Sequence, residues 1–181
     1  MTTNAQVKNY LQHALLQLAA ESYLHDLPTD PTLVPEQLIR RYKFGFNDPT
    51  HPYILGVAGT ADANAPVLPG QNRMVEQQAR ETVAGYELVS HHANDQTGFS
   101  ASLFRKGGEY VLSFRSTEFR QAEFAGDRER DNMDGANGEI LNNGFAFGQL
   151  AAMEEYYRSL TTSQAGAPAL LPAGTKITVT G

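Results

Sequence analysis

No cysteine occurs in the 181 residues, which excludes disulfides, thiolate zinc sites and a cysteine nucleophile. No apolar run approaches the ~20 residues that a membrane helix needs, so no transmembrane segment is expected. Cations are few: 14 Lys and Arg stand against 20 Asp and Glu, giving a net charge of −6 and a pI of about 5.3. With no basic cluster, nucleic acid is not expected as a partner. The Gly-rich run GVAGTADANAPVLPG is followed by neither Lys-Ser nor Lys-Thr and lacks the dinucleotide pattern, so it is not a phosphate loop. The HExxH pattern is missing as well, and no internal repeat is visible. No cofactor or metal is implied by what remains.

What is present is the composition of a globular chain, 41% hydrophobic and long enough for one domain with a core of its own. The N-terminus MTTNAQVKNYLQHALLQL has Lys8 as its sole cation and no apolar run ending in a cleavage site, so a cleaved secretory signal is not expected. The compartment stays open, since a cysteine-free chain suits the cytosol and also a bacterial exoprotein.

Apolar spacing predicts a helix over 6–23. Val7, Tyr10, Leu11, Ala14, Leu15 and Leu18 form its stripe, Gln12, Gln17 and Glu21 its other face, and Asn4 its N-cap. Prolines then break the chain, with a short helix over 35–42 that carries Pro35 in its first turn. Residues 43–71 read as loop and 72–83 as a short helix. The period then changes to that of strands, at 86–92, 99–105 and 109–115, with Lys106-Gly107-Gly108 turning the last two into a hairpin. Residues 119–142 read as a long polar loop. A helix over 144–160 follows, capped by Asn142 or Asn143, with Phe147, Leu150, Met153, Tyr157 and Leu160 as its stripe, widened by Phe145 and Tyr156. A Pro/Gly/Ala loop leads to a last strand at 176–180. Strand, helix-bearing connection and strand predict a parallel crossover, and hence an α/β fold with a mixed sheet.

The stretch EYVLSFRSTE, residues 109–118, concentrates the chemistry. Tyr110, Leu112 and Phe114 fall on one strand face, Val111, Ser113 and Arg115 on the other. The strand then ends in Arg115-Ser116-Thr117-Glu118, polar residues at a C-terminal strand edge, where open α/β sheets place their sites. The other candidates carry less. His91 and His92 are adjacent on a strand, so they point to opposite faces and cannot both bind one ion. His13, His25 and His51 lack ligand-spaced partners. Asp127, Asp131, Asp134 and Glu139 cluster around glycines, but Arg130 would occupy the first position of an EF-hand loop. A solvated loop that pairs with its own Arg128 and Arg130 fits better.

An apolar strand into Arg-Ser-Thr-Glu, a long loop, Asn-Gly-Phe before a helix, and a strand ending Val-Thr-Gly together resemble the N-terminal half of a class 3 lipase, an α/β-hydrolase. Phe114, Arg115 and Thr117 match that family's Phe-Arg-Gly-(Ser/Thr), and Gly144-Phe145 matches its later Gly-Phe. Thr178-Val179-Thr180-Gly181 matches the approach to the Gly-x-Ser-x-Gly nucleophile elbow. The likeness covers 98–181, a hydrolase-like core behind a helical, loop-rich leading region at 1–97, in one domain that is incomplete by this comparison. Ser116 stands where the family prefers Gly, and Asn142 where it often has His.

The resemblance implies a carboxylic ester hydrolase of the triacylglycerol lipase type, with a lipid or other ester substrate met at a lipid–water interface. An extracellular location is implied in the same way. Thr117 would supply an oxyanion-hole donor. Arg115 would fix the supporting loop through carbonyls, Asp127 or Asp131, or else make a surface ion pair beside Glu118. Residues 119–142 occupy the place of a lid. The nucleophile, Asp and His of the triad are not among these residues, so the 181-residue chain is expected to show no serine-dependent esterase activity. The alternative is a non-catalytic binding or interaction module that keeps half a hydrolase fold.

Overall fold

The computed structural model describes residues 3–22, 24, 27, 32, 34–44, 74–116, 135–163 and 166–181. Helix α1 (Asn4–Ala20) starts on a capping box: Thr3 Oγ1 accepts the Gln6 N–H at 3.2 Å, and Gln6 Oε1 accepts the Thr3 N–H at 2.8 Å. This reciprocal pair makes Thr3 the N-cap in place of the expected Asn4. Leu16, Ala19 and Ala20 are fully buried, because the alanines let the C-terminal half of α1 approach the sheet closely. The expected stripe is corrected accordingly. Val7, Tyr10 and Leu11 are exposed, as is Ala14, whereas Leu15 and Leu18 lie at the margin of the core.

Helices α2 (Val34–Phe44) and α3 (Glu76–Gly85) pack together beside α1. Pro35 sits in the first turn of α2, where its missing N–H costs nothing. Thus Lys43 and Phe44 belong to α2 and not to the following loop, and α3 starts later than the expected 72. Residues 45–73 lie outside the described residues. A chain of ion pairs joins the two helices: Lys43 Nζ to Glu76 Oε2 at 2.6 Å, Arg80 Nη2 to Glu76 Oε1 at 2.7 Å, and Arg80 Nη1 to Glu36 Oε1 at 3.3 Å.

Strands β1 (Glu87–His92), β2 (Ala101–Lys106), β3 (Glu109–Phe114) and β4 (Ile177–Thr180) form one mixed sheet in the order β1-β2-β3-β4. The first three pair antiparallel, with a bulge in β1 between Leu88 and Ser90. Gly107 takes φ +59° in the tight turn closed by Lys106 and Glu109, a conformation a Cβ disfavours. Strand β4 runs parallel to β3, from Tyr110 opposite Ile177 to Ser113 opposite Thr180. The two C-terminal ends therefore emerge side by side.

Between them the chain forms α4 (Ala136–Asn143) and α5 (Phe147–Thr161). The end of the expected long loop is thus helical, and the expected caps Asn142 and Asn143 are the last turn of α4. Gly144 ends that helix at φ +84°, its N–H donating to Ile140 O at 2.8 Å, a left-handed stop that glycine tolerates. The first turn of α5 is served from α4, where Glu139 Oε2 accepts the Gly148 N–H at 3.0 Å.

Alternation along β2 and β3 separates two apolar layers. Phe104 and Val111 join Leu16, Leu38, Tyr42 and Ala79 under α1, α2 and α3. Leu103 and Leu112 join Phe99, Tyr156, Leu160 and Leu171 under α5. Helices thus cover both faces, as a parallel pair requires. The expected α5 stripe is corrected too: Phe147, Leu150 and Tyr157 are exposed, and Tyr156 and Leu160 carry the contact. No helix among the described residues is long and apolar enough to cross a membrane.

Candidate functional site

The face of the sheet under α1 carries a transverse row of polar side chains, one from each strand: His91, Ser102, Ser113 and Thr180 are successive cross-strand neighbours. Ser102 and Ser113 are fully buried, so their hydroxyls need protein partners. His91 Nδ1 lies 2.9 Å from Ser102 Oγ. Thr180 Oγ1 donates to Ser113 Oγ at 2.8 Å, and Ser113 Oγ donates to Gln17 Oε1 at 2.8 Å. The Gln17 amide then donates both its hydrogens, to Phe114 O at 2.7 Å and to Glu21 Oε1 at 3.1 Å. Glu21 Oε1 also accepts the Ser116 N–H at 2.9 Å.

This network links α1, β3, β4 and the turn after β3. Its hydrogen bonds run in one donor sense from Thr180 to Glu21, each group filling the capacity of the next. Glu21 is 4% exposed, and its Oε2 has no hydrogen-bond partner among the described residues. The pair Gln17 and Glu21, expected on the outer face of the first helix, thus faces the sheet.

Beyond the turn opens a cleft of about 580 Å³. Phe99 and Phe114 form its floor from the sheet, and Ile140, Phe145, Leu150 and Met153 form its wall from the α4–α5 corner. Arg115 and Ser116 line it at the strand end. The Arg115 N–H donates to Ser100 O at 3.0 Å, which carries the pairing of the hairpin one step past β3. Apolar surface continues outside the cleft, where Leu141, Phe145 and Phe147 are more than half exposed and the two Phe rings lie 6.1 Å apart. The arrangement is a mostly apolar recess with a polar turn at one end, the pattern of a site for a ligand with an apolar body.

Of the sequence-predicted site residues, Arg115 lines the cleft. Thr117 lies outside the described residues, as do Glu118, Asp127, Asp131 and Asp134. Glu139 serves as the cap on α5 described above. Among the described residues no group of His, Asp and Glu is arranged to hold a metal ion.

The two strand histidines point to opposite faces as expected. His92 wedges between Phe99 and Tyr156, with ring centroids 5.2 Å from each, and its Nε2 lies 3.0 Å from Asp95 Oδ2. Burial works against the Asp95 charge, but hydrogen bonds from Thr97 and His92 outweigh it and hold the carboxyl below its usual range. This is a staple on the β1–β2 connection. A second recess, about 840 Å³ and lined by His13, Glu109 and Lys176 among others, lies at the opposite ends of β3 and β4.

Sequence reasoning missed Gln17, Glu21 and Ser113. The available signal was a polar pair four residues apart flanked by Leu16, Ala19 and Ala20, together with hydroxyls alternating on one face of the strands.

Comparison of the chain with protein-family models, with curated proteins and with solved structures finds no match in any of the three.

Proposed function

We propose that this chain carries the acyl-binding recess and half of the oxyanion site of a lipase-like carboxylic ester hydrolase. One observation carries the proposal: the polar turn after β3 lines an apolar cleft at the edge where the parallel strands β3 and β4 end together. Ester hydrolysis by a serine nucleophile develops negative charge on the carbonyl oxygen, and a preoriented donor there is worth about 3–4 kcal/mol. The cleft supplies apolar walls for an acyl chain. Thr117 is the residue assigned to the oxyanion and Arg115 to the support of its loop. The nucleophile, its base and the second donor would come from residues not among these 181.

Titration with 1-monodecanoylglycerol, followed by amide chemical shifts, tests the recess. Saturable shifts are expected at Ser116, Phe145 and Met153. Shifts absent there would overturn the acyl-site assignment. The catalytic half is tested by reading the coding sequence beyond Gly181: His-Ser-x-Gly supports the hydrolase, and a stop codon supports a non-catalytic acyl-binding module. The 181-residue chain itself is expected to turn over no short-chain aryl ester by a route sensitive to a serine-directed fluorophosphonate.

A further inference from the structure

We infer that Glu21, held by Gln17, is a positioning residue for the site turn. This rests on the assignment of the cleft as an acyl site. Three observations carry it. The Glu21 side chain is buried, with the residue 4% exposed, and burying a polar group this far is costly unless it is hydrogen-bonded. Its Oε1 accepts the Ser116 N–H at 2.9 Å, from a residue that itself lines the cleft. Its orientation is fixed by Gln17, whose amide reaches both Glu21 Oε1 and Phe114 O, the carbonyl two residues before Ser116.

Two hydrogen bonds from one helix thus hold the main chain on both sides of Arg115. The peptide is planar, so fixing the Ser116 N–H also fixes the direction of the Arg115 carbonyl. On the sheet side the Arg115 N–H donates to Ser100 O. The C-terminal end of α1 thus helps set the direction of the turn.

A consequence for the chemistry follows. The Ser116 N–H is committed to Glu21 and is not offered to a ligand in the cleft. An oxyanion there must be met by a donor other than the Ser116 N–H. Glu21 never touches the substrate in this arrangement. It acts through the backbone.

The test combines exchange and affinity on the 181-residue protein. In the wild type, the Ser116 amide is expected to exchange with solvent at least tenfold more slowly than an unstructured amide. An unprotected Ser116 amide would overturn the inference with no variant needed, whether or not E21A folds. Glu21→Ala should weaken 1-monodecanoylglycerol binding roughly tenfold, the scale of one lost charge-assisted hydrogen bond. Glu21→Gln keeps an acceptor oxygen and should restore affinity to within about twofold. Equal affinity in E21A and wild type, or equal losses in E21A and E21Q, would count against positioning and for a purely structural role. Failure of the wild type to bind the probe would instead overturn the acyl site, and Ser116 protection would still decide the anchor.

Discussion

The hydroxyl of Ser113 accepts from Thr180, donates to Gln17 and has no access to water. Replacing it with alanine removes one donor and one acceptor together, leaving the Gln17 carbonyl and the Thr180 hydroxyl to find new partners in a closed space. Ser113→Ala is therefore expected to destabilise the protein by about 1–3 kcal/mol, measured by urea unfolding. A loss below ~0.5 kcal/mol would mean that water reaches the row. Such residues are hard to read from a sequence. A serine on a strand shows its period, and the alternation did place Ser113 opposite Leu112. Nothing in the local pattern tells whether that face meets solvent or a helix, and here it meets α1.

At the scale of the element, the strands were the most legible part and the helix faces the least. Period-two alternation and the Gly107-Gly108 turn fix the hairpin locally. The faces of α1 and α5 depend on where the sheet ends beneath them, and spacing alone carries no such information. Val7 and Phe147 match helical stripes and are exposed all the same. The α4–α5 corner departs from its local pattern for a different reason. Asn142 and Asn143 have good N-cap chemistry, but Gly144 supplies a helix stop just after them. That stop positions Phe145 and Ile140 on the cleft. Gly144→Val should cost about 1–3 kcal/mol through its left-handed φ, since a Cβ there meets nothing within 4 Å. Circular dichroism at increasing urea checks this, and an unchanged midpoint would show that the corner has another conformation available.

For the whole molecule, the mixed α/β fold and the parallel β3–β4 pair were readable from element order alone, because crossover topology is strongly restricted. The site was readable only in outline: the strand end was identified, while its anchor lies more than ninety residues earlier in the chain. The ion pairs joining α2 and α3 are another long-range feature. Hydrogen bonds from Lys43 and Arg80 lower the Glu76 carboxyl to about 2 from an ordinary 4.5. A depressed carboxyl contributes stability above its unfolded value and loses that contribution as pH falls through its folded value. The difference in melting temperature between wild type and Glu76→Gln should be full above about pH 5, shrink between there and about pH 2, and vanish below. Because the pairs face water, ~1 M salt should also diminish it at neutral pH. A difference indifferent to both would assign the effect to packing.

The transverse row has a bearing on how the sheet forms at all. Ser102 faces Ser113 in the native pairing. A two-residue slip of β2 along β3 keeps every side chain on its proper face, so burial of apolar surface does not penalise it strongly. It would, however, set Ser102 against Val111 or Arg115, and in either direction would take the buried Ser102 hydroxyl away from Ser113. The polar residues therefore discriminate between alignments that hydrophobicity leaves nearly equal. They act as an index mark for the strands, and the chain tolerates polar atoms in its interior in exchange for a single way of assembling the edge beside the candidate site.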